Sequence, residues 1–301
     1  MNSQNRALYM GGAVVVFWAT VATAFKIALS EMGFIQLLLI SSITALAVCV
    51  LELIRSGKTG LVIKLAIDNG SQRLPILMLQ ALLTPFLYYL VLFKAYSLLP
   101  AQIAQPLNYS WQVVLILMMS FFYKKHLTFS QLTGVMICFA GVVSLSLNGK
   151  ADISGNLSLV GISLALGSSV IWASYWISKL KNEIDPVVEL FYNFLFGTIY
   201  LAILSLFYPM DWPSSRGLLA GVYVGIFEMG LTFVLWLRAL DRSANTARIS
   251  NLVFISPFIS LVLVSIFVGE KILISTLFGL TVIILGILIQ QYSQFIDRKK
   301  I

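Results

Sequence analysis

The sequence predicts an all-α polytopic membrane protein with ten transmembrane helices, arranged as two inverted repeats of five helices. Three observations lead to this fold class. Apolar residues make up 59% of the 301-residue chain and charged residues only 11%, with a mean hydropathy of +0.93. Soluble domains carry about 45–50% apolar and about 25% charged residues. The other two observations are a series of apolar windows of membrane-spanning length and an internal sequence repeat.

The apolar windows account for most of the chain. A spanning helix needs about 20 apolar residues, so ten helices of about 22 residues take roughly 220 positions. About 80 positions remain for loops and tails, which is too few for a further soluble domain of ordinary size. We expect the first window to be a retained span rather than a cleaved signal peptide, because its apolar run is long. The windows fall at about 8–29, 33–54, 75–97, 101–122, 129–147, 157–178, 187–208, 217–239, 246–267 and 272–294.

The charges indicate the orientation in the membrane. The chain has 20 Lys and Arg residues against 12 Asp and Glu residues, a net charge of +8. If both termini are cytoplasmic, 15 of the 20 cations fall in cytoplasmic loops and tails, which agrees with the positive-inside rule. We therefore predict a multi-pass protein of the inner (plasma) membrane with both termini cytoplasmic. Its partners would be the lipid bilayer and a small-molecule substrate, with no nucleic acid.

Sequence motifs for metal or cofactor chemistry are absent. Cys49 and Cys138 lie inside apolar windows without metal-ligand spacing, and the single histidine, His126, lies in a basic loop. No Gly-rich phosphate loop or HExxH pattern occurs. An enzyme acting on lipids would need a catalytic pair or a metal cluster, so we expect no metal, no cofactor and no enzymatic activity.

Alignment of the chain with itself reveals the repeat of five spans. Lys94 matches Arg238 at an offset of 144 residues, and Gly141 matches Gly286 at an offset of 145. Because five is an odd number, the second copy enters the membrane upside down, as in many secondary transporters. Chance similarity between apolar helices is the alternative explanation. The predicted boundaries are 1–148 for the first repeat, 149–156 for the linker and 157–301 for the second repeat.

Residues at both ends of the chain resemble a known family. Trp18 and Lys26 in the first span, and Glu270-Lys271 ahead of the last span, are similar to the EamA-type members of the drug/metabolite transporter superfamily. The resemblance covers essentially the whole chain. It implies a ten-helix exporter or exchanger whose pocket lies between the halves and opens alternately to each side.

The fourth span carries a more local resemblance. Asn108-Tyr109-Ser110-Trp111 is similar to the Asn-Tyr-x-Trp-Pro stretch of bacterial amino-acid exporters of the YddG type, although Gln112 stands where those exporters have proline. The resemblance implies that Asn108, Tyr109 and Trp111 line the pocket. Tyr109 and Trp111 differ by two positions, about 200° on a straight helix, so one of them would be a packing residue.

Glu228 is the ionisable residue that we place near mid-membrane, at the centre of the window 217–239. A carboxylate at this depth costs free energy unless it is paired, protonated or hydrated, so its presence suggests a function. It suits either a proton carrier or a counter-ion for an amino group of the substrate. A protonated Glu that bridges two helices is the structural alternative.

The remaining candidates are aromatic, amide and proline residues inside the predicted spans. An aromatic pocket would bind a planar or apolar group by stacking, and amides would add hydrogen bonds. The same residue types also form interfacial belts and bridges between helices. Proline bends helices, which alternating access requires. The candidates are Tyr88, Tyr89, Trp172, Tyr175, Asn193 and Asn251 for binding, and Pro106 and Pro257 as hinges.

Together these observations predict a secondary transporter that exports amino acids or related small metabolites by alternating access. The aromatic candidates favour an aromatic or apolar substrate, and Glu228 suggests that protons drive export. The alternative within transport is a multidrug exporter of lipophilic cations, in which Glu228 would neutralise the solute. The sequence leaves the exact substrate, the direction of transport and the oligomeric state open.

Overall fold

A computed structural model describes residues 3–68, 70–124, 127–152, 158–180, 184–243, 249 and 252–298. Every regular element in this part of the chain is helical, which confirms the all-α prediction. The helices of the first half are α1 (Ser3–Glu31), α2 (Phe34–Ser56), α3 (Thr59–Asp68), α4 (Gly70–Ala81), α5 (Tyr88–Leu98), α6 (Ala101–Tyr109), α7 (Trp111–Tyr123) and α8 (Phe129–Asp152). Those of the second half are α9 (Leu159–Lys179), α10 (Pro186–Ser205), α11 (Ser215–Val224), α12 (Leu231–Arg242), α13 (Ser256–Val268) and α14 (Ile274–Arg298).

Local sequence signals set several helix ends. Gly57 ends α2 in the left-handed conformation, at φ 67°, and its N–H donates to the carbonyl of Ile54. Asp185 precedes Pro186 at the start of α10, and its carboxylate accepts hydrogen bonds from the N–H groups of Val187 and Val188. These caps fix the residue at which α2 ends and the residue at which α10 begins.

Six helical segments in the described part of the chain are long and apolar enough to cross a membrane, and three are shorter. The predicted fourth span, 101–122, consists of two helices that meet at Ser110. The total of ten spans therefore stays a prediction. The six are Gln4–Glu31, Phe34–Ser56, Arg73–Leu98, Leu159–Lys179, Pro186–Ser205 and Ser215–Leu240, and the shorter ones are Phe129–Leu145, Val253–Val268 and Ile274–Ile289.

Polar contacts divide the helix ends into two groups. At what we name the Glu31 end, Ser214 donates to Glu31 (2.7 Å) and Gln36 donates to the carbonyl of Asp211 (2.6 Å). These bonds join the end of α1 and the start of α2 to the α10–α11 loop. At the opposite, Lys58 end, Lys58 pairs with Asp185 (2.7 Å), and Glu52 of α2 pairs with Arg238 of α12. Thus α1 ends and α2 begins at one end, whereas α2 and α12 end at the other.

Helices α8 and α14, the last of each half, pack through glycines. A Cβ on Gly279 would lie 2.5 Å from the side chain of Leu145, and one on Gly286 would lie 2.6 Å from the backbone nitrogen of Cys138. The two backbones therefore approach too closely for a side chain. These glycines therefore allow α8 and α14, the last helix of each half, to pack closely.

We expect Gly286→Ala to lower stability by about 2 kcal/mol, because overfilling a packed interface costs about 1–3 kcal/mol. The added methyl group would collide with backbone atoms of Cys138 and Gly134, which cannot rotate away. Thermal unfolding in detergent measures the effect. Gly167→Ala in α9 is the matched control, since no heavy atom lies within 4 Å of its Cβ position. Equal unfolding temperatures for the two variants would contradict the prediction.

Two π-helical segments interrupt the predicted third and eighth spans. They cover Leu82–Leu87 and Gly225–Gly230. Adding the repeat offset of 144 to 82–87 gives 226–231, one residue away from the second segment. The backbone departs from helical geometry at Thr84 (φ −147°, ψ 123°) and at Gly230 (φ −99°, ψ −88°). Such distortions leave backbone groups without regular partners and often occur at functional sites.

The predicted hinge prolines lie near other irregularities. Pro106 is inside α6, four residues before the break at Ser110. Pro257 is in the first turn of α13, directly after a 3₁₀ turn at Val253–Ile255. Their role as hinges stays a prediction, and no pattern in the sequence predicts the π-helical segments.

Candidate substrate-binding site

A hydrogen bond joins the two π-distorted spans. Tyr89, in the first turn of α5, donates its hydroxyl proton to Glu228 Oε1 at 3.1 Å. Glu228 lies within the π-helical segment Gly225–Gly230, and Tyr89 lies two residues after the segment Leu82–Leu87. Each partner of the bond is therefore at or next to one of the two distortions. Tyr89 is fully buried and Glu228 is partly exposed. Among the residues that the structure describes, no cation forms an ion pair with Glu228.

The neighbouring Tyr88 connects the same region to the fourth and sixth spans. Its hydroxyl donates to Asn108 Oδ1 (3.2 Å), and Asn108 Nδ2 donates to Ser168 Oγ (2.8 Å). The ring of Tyr88 stacks on Trp172 with centroids 4.5 Å apart and an interplanar angle of 29°. Tyr88 also contacts the ring of Tyr89 at 4.7 Å. The carboxyl group of Glu228 is thus linked to the aromatic residues through two adjacent tyrosines.

Trp172 lies at the centre of an aromatic cluster formed by both halves of the chain. Its ring centroid lies 5.6 Å from that of Tyr175, 6.3 Å from that of Trp111 and 5.8 Å from that of Phe233. Phe233 also contacts Trp18, the tryptophan of the first span, at 6.4 Å. We name as the aromatic cluster Tyr88, Trp111, Trp172, Tyr175, Trp176 and Phe233. Stacked and edge-on ring faces of this kind bind planar or apolar groups.

Tyr109 and Trp111 point to different partners, as their spacing predicts. Tyr109 shares a hydrogen bond of 2.7 Å with Ser256 of α13, whereas Trp111 stacks on Trp176 with an interplanar angle of 15°. The break at Ser110 separates them. Trp111 therefore belongs to the aromatic cluster, and Tyr109 joins the fourth span to the second half.

A second polar group lies at the Lys58 end of the cluster. Asn193 Nδ2 donates to the hydroxyl of Tyr175 (3.1 Å), and Lys179 Nζ donates to the same hydroxyl (3.4 Å). Lys179 also pairs with Glu189 at 2.8 Å. Neither Lys179 nor Glu189 is among the candidate residues that the sequence singled out. Glu189 could have been found as a carboxylate inside the predicted window 187–208. In the structure it is only 3% exposed.

The structure thus connects eight of the ten predicted binding residues through contacts with one another, and Tyr109 bonds to Ser256 instead. Asn251 lies outside the described residues. In the described part of the chain, no group of three or more His, Cys, Asp or Glu residues could hold a metal ion. The connected residues offer ring faces, amides and one carboxyl group without an ion-pair partner. They can bind a small organic molecule and carry a proton.

A third polar group joins the halves at the Glu31 end. Glu270 accepts hydrogen bonds from the N–H groups of Ala101 (2.9 Å) and Gln102 (3.3 Å), the free donors at the start of α6. Lys26 Nζ lies 3.9 Å from Glu270 and donates to the carbonyl of Leu99 at 3.0 Å. This group crosses from the first half to the α13–α14 loop.

Comparison with known proteins identifies the family. The EamA-like transporter family matches residues 5–147 and 159–290. The uncharacterized transporter YvbV of Bacillus subtilis is 28% identical over 222 residues, 71% of this chain and 70% of that protein. The aromatic amino acid exporter YddG of Ancylobacter novellus is 25% identical over 269 residues, 87% of this chain and 88% of that protein. A solved crystal structure with 20% identity shares the fold, with a TM-score of 0.68 over 98% of this chain and 99% of that chain. The chain is therefore a multi-pass membrane transporter that belongs to the EamA-like family of the drug/metabolite transporter superfamily.

Proposed function

We propose that the protein is a proton-coupled secondary transporter that exports amino acids with aromatic or apolar side chains across the inner membrane. Ten transmembrane helices form two inverted repeats, 1–148 and 157–301, joined by the linker 149–156, with both termini cytoplasmic. The substrate binds between the repeats and is released by alternating access. This arrangement makes the Lys58 end cytoplasmic and the Glu31 end external.

The observation that carries this proposal is the bond from Tyr89 to Glu228. It joins repeat-related distortions of the two halves and leads through Tyr88 to the aromatic cluster. Ring faces beside a carboxyl group suit a substrate with an aromatic or apolar side chain and a mechanism that moves protons. The relative that is named an aromatic amino acid exporter supports this class of substrate.

The topology rests on two independent supports. Contacts at the Lys58 end join the end of α2 to the start of α10, and those at the Glu31 end join the end of α1 to the start of α11. These contacts place α1 antiparallel to α2 and α10 antiparallel to α11, which supports the alternating directions that inverted repeats of five require. The positive-inside count supports the orientation, because the proposed topology puts 15 of the 20 cations on the side of the termini.

Counterflow in proteoliposomes tests the function. Vesicles loaded with unlabelled L-phenylalanine should take up labelled L-phenylalanine when the protein is present and not when it is absent. Excess L-tryptophan or L-leucine should compete, whereas tetraphenylphosphonium should not. Competition by the phosphonium cation alone would overturn the proposal and favour an exporter of lipophilic cations.

Alternating access also requires that the contact between Glu270 and α6 break when the external end opens. Because a hydrogen bond to a charged group contributes about 1.5–3 kcal/mol, Glu270→Ala should speed amide exchange in the first turn of α6 by about tenfold or more. Hydrogen exchange with mass spectrometry of peptides covering 99–106 measures this change. Glu31→Ala is the matched control, since the partners of Glu31 at the same end are Ser214 and Arg216, at the start of α11. Unchanged exchange in α6 would contradict the prediction.

A further inference from the structure

We propose that Lys179, Glu189, Asn193 and Gln80 form a subsite for the zwitterionic head group of an amino acid, and we name these four residues the head-group subsite. This inference rests on the proposed function and specifies how the substrate is recognised. It assigns different roles to Glu189 and Glu228. Glu189 binds the ammonium group of the substrate, and Glu228 is left to carry protons.

The subsite adjoins the aromatic cluster directly. Lys179 Nζ lies 5.2 Å from the ring centroid of Tyr175 and 5.6 Å from that of Trp176. Gln80 Nε2 donates to the carbonyl of Ser178, the residue before Lys179, at 3.4 Å. A molecule with its side chain against the aromatic cluster would therefore place a short polar head group beside Lys179.

Buried polar atoms without partners point to a ligand at this place. Gln80 and Asn193 are 0% and 1% exposed, and their oxygens Oε1 and Oδ1 have no hydrogen-bond partner among the described residues. The indole N–H of Trp176 likewise has none. Each amide uses one polar atom, so exchanging its O and N positions would still leave one atom unpaired. Buried groups of this kind are normally satisfied, and leaving them unpaired is costly.

The unpaired atoms and the ion pair offer partners for both charged groups of a zwitterion. An ammonium group donates three protons, which the carboxylate of Glu189 and the amide oxygens of Gln80 and Asn193 can accept. A carboxylate accepts protons, which the ammonium of Lys179 and the indole of Trp176 can donate. The pair of Lys179 and Glu189 carries no net charge, so it suits a ligand that is neutral overall.

The same pair disfavours ligands with a single charge. An amine would engage Glu189 and leave the partly buried Lys179 without its counter-charge, and a carboxylic acid would do the reverse. Breaking a buried pair by occupying only one partner is strongly unfavourable. The subsite therefore selects amino acids against both lipophilic cations and simple anions, which the aromatic cluster alone would not do.

Ligand-induced thermal stabilisation of the detergent-purified protein tests the subsite. The probes are L-phenylalanine, phenethylamine and 3-phenylpropionate, which share a ring and differ in the head group. We expect the unaltered protein to bind L-phenylalanine at least about tenfold more tightly than either analogue. Lys179→Met should lose about tenfold in affinity for L-phenylalanine and prefer the amine, and Glu189→Gln should prefer the carboxylate.

Two further variants separate recognition from folding. Lys58→Met breaks a half-buried ion pair at the same end of the protein and should leave the order of preference unchanged. Asn193→Leu removes a buried amide with an unpaired atom, so it should keep the ligand-free protein folded while weakening L-phenylalanine binding. The assignment is overturned if L-phenylalanine binds but Lys179→Met, Glu189→Gln and Asn193→Leu all keep the preference and affinity of the unaltered protein. If the unaltered protein binds no amino acid, both the proposed function and the head-group subsite are overturned.

Discussion

Replacing Glu228 with Gln should abolish transport driven by a pH gradient while leaving exchange of amino acids across the membrane. Gln has the size of Glu and can still accept the hydrogen bond from Tyr89, so the site should keep its shape. It cannot bind and release a proton. A pH difference of about one unit supplies about 1.4 kcal/mol per proton, enough for an about tenfold concentration gradient of substrate. The Glu228→Gln variant should build up no concentration gradient of substrate.

The physical reason lies in the surroundings of Glu228. An ionised side chain at the centre of a spanning helix costs about 3 kcal/mol on insertion scales. The described partner of Glu228 is the neutral hydroxyl of Tyr89, and no described cation offsets the cost of ionisation. We therefore expect the carboxyl group to bind a proton when it is shielded from water and to release it when it becomes accessible to water on the other side of the membrane.

Proteoliposomes give both readouts from one preparation. Accumulation of labelled L-phenylalanine under an imposed pH gradient reports coupling, and counterflow without a gradient reports binding and alternating access. Tyr89→Phe is the matched variant, because it removes the hydrogen bond and keeps the carboxyl group; it should weaken accumulation without abolishing it. Full accumulation by Glu228→Gln would refute the proton-carrier role.

The parts of this site that depend on residue type and depth could be predicted from the sequence. Glu228 stands out because charges are rare in the apolar windows, and Trp172 and Tyr88 stand out because they lie deep in theirs. Periodicity and charge counting also predict the all-helical fold and the direction of the first spans. These signals are local, so one sequence is sufficient to detect them.

The features that were missed depend on packing between distant segments. Lys179 looks like a loop cation because it follows an apolar run, and only the fold brings Glu189 of the next helix within 2.8 Å. The π-helical segments arise where glycine or proline meets a neighbouring helix: a Cβ on Gly197 would lie 2.5 Å from the ring of Pro85. A glycine or a proline in the sequence marks a weak point in a helix without giving the direction of its distortion.

Replacing Trp172 with Ala should cause the second large effect, a rise in the KM for L-phenylalanine of at least about tenfold. Trp172 contacts Tyr88, Tyr175, Trp111 and Phe233, so its removal opens the centre of the aromatic cluster. Each aromatic pair contributes about 0.5–1.5 kcal/mol beyond the area it buries, and the substrate would lose its stacking surface as well.

Truncating a buried tryptophan to alanine also costs about 3–5 kcal/mol of folding free energy, so Trp172→Ala alone is ambiguous. Trp172→Phe resolves the ambiguity, because it keeps an aromatic face and most of the volume. We expect its KM for L-phenylalanine to fall between those of the other two proteins, with an unfolding temperature near that of the unaltered chain. Trp212→Ala is the control, since Trp212 is 89% exposed in the α10–α11 loop and should leave the KM unchanged. If Trp172→Ala folds and keeps the original KM, the substrate binds elsewhere and the aromatic cluster serves packing alone.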